Sequence, residues 1–81
     1  MKITIIGAGY VGLVSGTCFA DLGNHVTCVE INTQKLEQLN QGEVPFFEPG
    51  LSEKMIKNKD AGRLTFTQDL HAALKESRII F

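Results

Sequence analysis

An α/β fold with a doubly wound parallel sheet follows from three features of this 81-residue sequence. Short β-branched runs alternate with stretches of helical period, which implies parallel strands joined by right-handed crossovers. A glycine-rich stretch, IIGAGYVG at positions 5–12, lies where the first such run gives way to the first helical pattern. The last residues, RIIF, open one more strand. The expected order is strand-helix-strand-helix-helix-strand-helix-strand, a sheet cut after about four strands.

Each element has its own signal. Ile3, Thr4, Ile5 and Ile6 form a β-branched run ending at Gly7, the pattern of a strand buried on both faces. A helix is expected from about Val11 to Leu22, with Val11, Val14, Cys18 and Leu22 as its inward stripe. Gly23-Asn24 supplies a left-handed stop. The second strand is Val26 to Glu30, VTCVE. Asn32 or Thr33 caps a helix carrying Leu36 and Leu39 and ended by Gly42.

The loop VPFFEPGL, residues 44 to 51, is pinned by Pro45 and Pro49. Pro49 suits the first position of a third helix, with Glu48 beside its positive end and Leu51 and Met55 inward. LTFT, residues 64 to 67, reads as the third strand. Asp69 caps a fourth helix with Leu70, Ala73 and Leu74 inward, and the fourth strand runs from Arg78 to Phe81. Because the chain stops inside what reads as a central strand, residues 1–81 are expected to be the N-terminal part of a longer dinucleotide-binding domain. The remainder of that domain and a substrate domain are expected beyond residue 81.

Composition is that of an ordinary soluble globular protein, 43% apolar and 21% charged. A net charge of −1 gives no pull toward nucleic acid or anionic membranes. No apolar run approaches a membrane span, and the early one, Ile3 to Ile6, is too short for a signal peptide. Cys18 and Cys28 lack metal or redox spacing and read as reduced, buried residues of a cytoplasmic protein. Lys54, Lys57 and Lys59 read as the solvated face and end of a helix. His25 and His71 read as surface residues.

Gly7, Gly9 and Gly12 form G-x-G-x-x-G directly after a strand and at the start of a helix. Gly7 permits the turn, Gly9 lets the backbone approach a pyrophosphate, and Gly12 lets the helix pack closely on the sheet. Free N–H groups at the helix start then face the anion. Glu30 ends the second strand eighteen residues after Gly12, where a carboxylate accepts from the adenosine ribose hydroxyls. This is the Rossmann-type arrangement. A carboxylate there repels the 2′-phosphate of NADP, so NAD is the expected cofactor. Lys35 reads equally as a ribose or phosphate contact and as a solvated helix lysine. Glu30 also leaves an FAD site open, and glycines serving only a tight turn and close packing stay as the plain alternative.

MKITIIGAGYVGLVSG, VEIN, GEVPFFEPGLSEKM, AGRLTFTQDL and RIIF together resemble the N-terminus of the UDP-glucose 6-dehydrogenase family. More broadly they resemble the nucleotide-sugar dehydrogenases, which also include GDP-mannose and UDP-N-acetylhexosamine enzymes. The EPGL and GRLTFT segments lie outside the generic dinucleotide pattern and give the resemblance its specificity. It implies that Gly7, Ala8, Gly9, Tyr10, Val11 and Gly12 hold NAD, with Glu30 at the ribose in place of the usual Asp and Lys35 as a further contact. It implies an enzyme that oxidises a UDP-sugar alcohol to a carboxylate with two NAD, works as a homodimer in the cytoplasm and supplies polysaccharide biosynthesis. The family's cysteine nucleophile matches neither Cys18 nor Cys28, so no catalytic residue and no metal ligand is expected here. The VPFFEPGL loop reads as crossover packing or as a wall of the cofactor or subunit contact. A regulatory NAD sensor without chemistry is the reading of a different class.

Overall fold

The computed structural model describes all residues except 8, 45–47, 78 and 81, and leaves the side chains of residues 76, 79 and 80 undescribed. Eight elements run in the expected order: β1 (Lys2–Ile6), α1 (Tyr10–Asp21), β2 (His25–Val29), α2 (Thr33–Asn40), α3 (Leu51–Asp60), β3 (Leu64–Thr67), α4 (Leu70–Glu76) and β4 (Ile79–Ile80). The sheet order is β3-β2-β1-β4. Every pairing is parallel, with Ile3 opposite Val26 and Val26 opposite Leu64. Because the chain moves one way from β1 to β3 and then jumps back past β1 to β4, the first crossovers and the last lie on opposite faces.

Strand alternation decides which residues meet which helices. Ile3 and Ile5 of β1, Val26 and Cys28 of β2, and Leu64 and Phe66 of β3 share one core cluster with Leu13 and Ala20 of α1, Leu39 of α2, and Leu51 and Met55 of α3. Burial pushes the Cys28 thiol up to about 12, which keeps it protonated and unreactive at neutral pH. On the other face the Thr4 hydroxyl donates to the Ala73 carbonyl of α4 at 3.2 Å and contacts the Ser77 hydroxyl.

Local signals explain the helix ends. The Asn32 side chain accepts from the Lys35 amide at 3.0 Å and the Asp69 side chain from the Ala72 amide at 2.9 Å, so both expected caps are made. Gly23 takes φ +103° and lets the chain leave α1 in the left-handed region. Pro49, in contrast, is not the first residue of α3. Gly50 lies between them at φ +80° as the N-cap, and the helix starts at Leu51.

Four expectations about burial are corrected. The inward stripe of α1 is Leu13, Gly16, Thr17 and Ala20, whereas Val11 is 74% and Leu22 79% exposed. Cys18 is exposed for the same reason, lying across the helix from that stripe. The helix presses its small residues onto the sheet: a Cβ on Gly16 would sit 3.0 Å from Cys28 Sγ and 3.1 Å from Ile5 Cδ1. β1 is buried on both faces only as far as Ile5: among the described residues β4 pairs with Ile3 and Thr4, and Ile6 is 52% exposed. In α4 Ala73 is buried but Leu70 and Leu74 are not, because the helix rests on the sheet through Ala73.

A polar knot ties α1 to α3 and β3. Asn58 is fully buried in the middle of the basic stretch and donates to Asp21 Oδ1 at 3.1 Å and to the Lys54 carbonyl at 2.9 Å. Its own oxygen accepts from Arg63 Nε at 3.0 Å. Lys54 is exposed as expected, Lys57 is exposed but reaches Asp21 at 3.3 Å, and Lys59 is half-buried. The hydrogen bond from Asn58, then that from Lys57, holds the Asp21 carboxyl below its ordinary value. A depressed carboxyl stabilises the fold above its unfolded-state value and stops doing so as pH falls through the folded one. The melting temperature should therefore fall below roughly pH 4, with Asp21→Asn flattening part of that acid limb.

Thr17 Oγ1 is buried without a hydrogen-bond partner among the described residues. An orphaned hydroxyl carries a desolvation cost that a methyl group does not. Thr17→Val is expected to raise stability by about 1 kcal/mol, read as a higher urea midpoint at unchanged slope.

Candidate functional site

The C-terminal ends of β1 and β2 define the site. β1 ends at Ile6, and Gly7 turns away at φ +90° while its amide donates to the Val29 carbonyl of β2 at 2.8 Å. That bond extends the sheet one residue into the glycine loop. Gly9 follows with φ −72° and ψ −174°, extended backbone that caps α1 without any side-chain hydrogen bond. A Cβ built on Gly9 meets nothing within 4 Å. The loop therefore opens onto empty space at the point where a bulky anion has to approach.

Gly12 differs. A Cβ there would collide with the Gly7 carbonyl oxygen and lie 3.2 Å from Ile5 Cγ2. Its bareness lets the first turn of α1 settle against the loop and the strand. The expected division of labour among the three glycines is thus present: turn, open approach, close packing. Ala8, also expected at the site, lies outside the described residues. The crevice beside the loop measures about 620 Å³ and is lined mainly by Ile6, Gly9, Tyr10, Val11, Ser15 and Phe19. Val11, misjudged as a core residue, forms part of this wall.

Glu30 follows β2 directly, still joined to β3 by the hydrogen bond its amide donates to the Thr67 carbonyl at 2.8 Å. The residue is 8% exposed, unusual for a carboxylate. Oε2 accepts from the Asn32 amide at 3.0 Å, and Oε1 lies 3.9 Å from Lys35 Nζ. Lys35, whose spacing reads equally as a cofactor contact and as a solvated lysine, is thereby brought beside Glu30. The pair keeps a negative oxygen at the end of β2 while a cation one helical turn away balances it.

One contact was not legible in the sequence. The Tyr10 hydroxyl donates to Glu48 Oε2 at 2.8 Å, across 38 positions. This bond, and next the carboxylate's charge, raises the Tyr10 phenol above its ordinary value. Glu48 thus faces the start of α1 rather than serving α3 alone. The neighbouring residues 45–47 of the VPFFEPGL loop lie outside the described residues, as does any packing by Phe46 and Phe47. His25 and His71 are exposed. Among the described residues no group of three His, Cys, Asp or Glu is placed to hold a metal, and no helix is long and apolar enough to cross a membrane.

A glycine loop open at Gly9, followed at the next strand end by a buried carboxylate, is the arrangement that holds a dinucleotide. The family model described as the UDP-glucose/GDP-mannose dehydrogenase family, NAD binding domain, matches residues 1–81. The chain belongs to this family. It is 53% identical over 81 residues to a UDP-glucose 6-dehydrogenase of Rhizobium meliloti, covering 100% of the chain and 18% of that protein. It is 51% identical over 80 residues to the UDP-glucose 6-dehydrogenase TuaD of Bacillus subtilis, covering 99% of the chain and 17% of the relative. Among solved structures, the ternary complex of a GDP-mannose dehydrogenase from Pseudomonas aeruginosa superposes with a TM-score of 0.94. The two are 37% identical over 100% of this chain and 19% of that one. The chain thus spans less than a fifth of the length of these relatives. The family member's fold is of the Rossmann type, and its cofactor is NAD rather than FAD.

Proposed function

We propose that this chain is the NAD-binding portion of a UDP-glucose 6-dehydrogenase, an enzyme that converts UDP-glucose to UDP-glucuronate with two NAD. The single observation that carries the site assignment is the pairing of the open Gly9 loop with the buried Glu30 carboxylate at adjoining ends of parallel strands. The substrate reading is supported by the UDP-glucose 6-dehydrogenases at 53% and 51% identity. A GDP-mannose 6-dehydrogenase of Pseudomonas aeruginosa, 37% identical over the whole chain, favours that nucleotide sugar as the second reading.

In this reading bound NAD supplies the hydride acceptor, and the residues of this chain bind and orient it. The backbone of Gly7 to Gly12, Ala8, Tyr10 and Val11 included, cradles the pyrophosphate at the positive start of α1, Gly7 by its turn and the residues after it by their N–H groups, since the Gly7 amide is engaged by the Val29 carbonyl. Glu30 accepts from the ribose hydroxyls and disfavours a 2′-phosphate. Lys35 balances the carboxylate and adds a contact to ribose or phosphate. The alcohol is captured and oxidised by groups that residues 1–81 do not supply. The parent enzyme is assigned to the cytoplasm as a homodimer that feeds polysaccharide biosynthesis, with neither nucleic acid nor membrane as partner.

An amide-resolved NMR titration of the chain with NAD, with NADP as control, tests the site. Selective shifts at Gly9 to Gly12 and near Glu30 are expected for NAD, and much weaker ones for NADP. Shifts elsewhere, or none, would remove the assignment. NADH formation from UDP-glucose, rather than from GDP-mannose, by the protein that contains this chain tests the substrate.

A further inference from the structure

We propose that Glu48 is a positioning residue for the cofactor: through its hydrogen bond to the Tyr10 hydroxyl it holds the first turn of α1 in the geometry that receives the NAD pyrophosphate. Neither the glycine motif nor the ribose carboxylate includes it. The inference rests on the NAD site proposed above.

Glu48 is well placed to be the fixed end of this contact. Its carbonyl accepts from the Leu51 amide at 3.2 Å, and Leu51 is a buried member of the core. Gly50, in the left-handed region at φ +80°, sets the direction from which residue 48 leaves α3. The segment is thus tied to a helix that packs on α1 and the sheet. Tyr10 is the other end. It is the first residue of α1, directly after the open Gly9, and its side chain is 52% exposed. The bond from its hydroxyl to a carboxylate oxygen at 2.8 Å is a charge-assisted one that fixes the outer end of the ring.

The consequence for binding is one of preorganisation. The first-turn amides of α1 act as an anion cradle only while Gly9 and Tyr10 keep their present backbone angles. Gly9 has no side chain to resist rotation, so the neighbouring ring restrains the turn in its place. If the competent loop is populated only part of the time, apparent affinity falls by that fraction. The ring itself also forms one wall of the crevice.

The test measures NAD and adenosine affinity by NMR titration for the wild-type chain, Tyr10→Phe, Glu48→Ala, Glu48→Gln and the double variant Tyr10→Phe/Glu48→Ala. Tyr10→Phe and Glu48→Ala are each expected to weaken NAD by roughly three- to tenfold, with the double variant no weaker than either. Glu48→Gln, which still offers an oxygen acceptor, should stay within about twofold of wild type. Adenosine, which lacks the pyrophosphate, should bind all five alike. In the absence of nucleotide, Glu48→Ala should bring the raised Tyr10 phenol titration back toward its ordinary value.

Unchanged NAD affinity in Tyr10→Phe and Glu48→Ala, with wild-type binding intact, would overturn the positioning role and leave the NAD site standing. Parallel loss of NAD and adenosine affinity would overturn it as well, by reducing Glu48 to a structural residue. No NAD binding by a folded wild-type chain would remove the site and the positioning role together.

Discussion

Replacing Gly12 by alanine is expected to lower the melting temperature of this chain by roughly 12–24 °C, whereas alanine at Gly9 leaves it almost unchanged and abolishes NAD binding. The contrast follows from what each new Cβ meets. At Gly12 it meets backbone, the Gly7 carbonyl oxygen, which cannot swing aside as a side-chain tip can. Gly7 is held by the hydrogen bond its amide donates to the Val29 carbonyl and by a φ of +90°. To relieve the clash, α1 must lift from the sheet and take Leu13 and Ala20, both fully buried, away from their partners. Overpacking of this kind costs about 3 kcal/mol, a large part of what a domain of this size has in total. At Gly9 the new methyl meets nothing, and φ −72° with ψ −174° suits any residue. The fold is indifferent to that methyl; the pyrophosphate is not. Circular dichroism melts and NAD titrations of the two variants separate the effects. A Gly12→Ala chain melting within a few degrees of wild type would refute the packing role.

That distinction was available from the spacing of the glycines, because each position in the motif has its own reason to lack a Cβ: the turn at Gly7, the approach of the ligand at Gly9 and close helix packing at Gly12. β3 was equally legible, for Leu64-Thr65-Phe66-Thr67 alternates and presents Leu64 and Phe66 to the core. Asn32 and Asp69 were legible as caps, since the bond each makes is local. The stripe of α1 was not. The helix is apolar on nearly every side, so periodicity offers no contrast, and the side that goes inward is the one with the smallest residues, Gly16 and Ala20. Hydrophobicity pointed to Val11 and Leu22, whereas close approach of helix to sheet selected the glycine. Tyr10 and Glu48 were out of reach for another reason. Their contact depends on α3 packing against α1, and nothing local in either segment signals it. Sequence patterns disclose what neighbours along the chain decide, and lose what only the assembled fold brings together.

Glu30→Ala is expected to weaken NAD binding by roughly tenfold to a hundredfold, the loss of a charge-assisted pair of hydrogen bonds. The carboxylate is built for acceptance. It is almost wholly buried, it is held by the Asn32 amide at 3.0 Å, and Lys35 at 3.9 Å balances its charge without closing a direct hydrogen bond. Glu30→Gln separates charge from geometry. The amide oxygen still accepts from a ribose hydroxyl or from Asn32, so NAD affinity should fall by less than in Glu30→Ala. The repulsion toward a 2′-phosphate disappears in both, and Lys35, relieved of its counter-charge, becomes available to that phosphate. The ratio of NAD to NADP affinity should therefore drop further than NAD affinity itself in Glu30→Gln. Titrating both variants with NAD and NADP reads the two effects separately. Should Glu30→Gln keep the wild-type preference for NAD over NADP, discrimination would have to come from the shape of the crevice, because the charge that repels the phosphate would no longer be there.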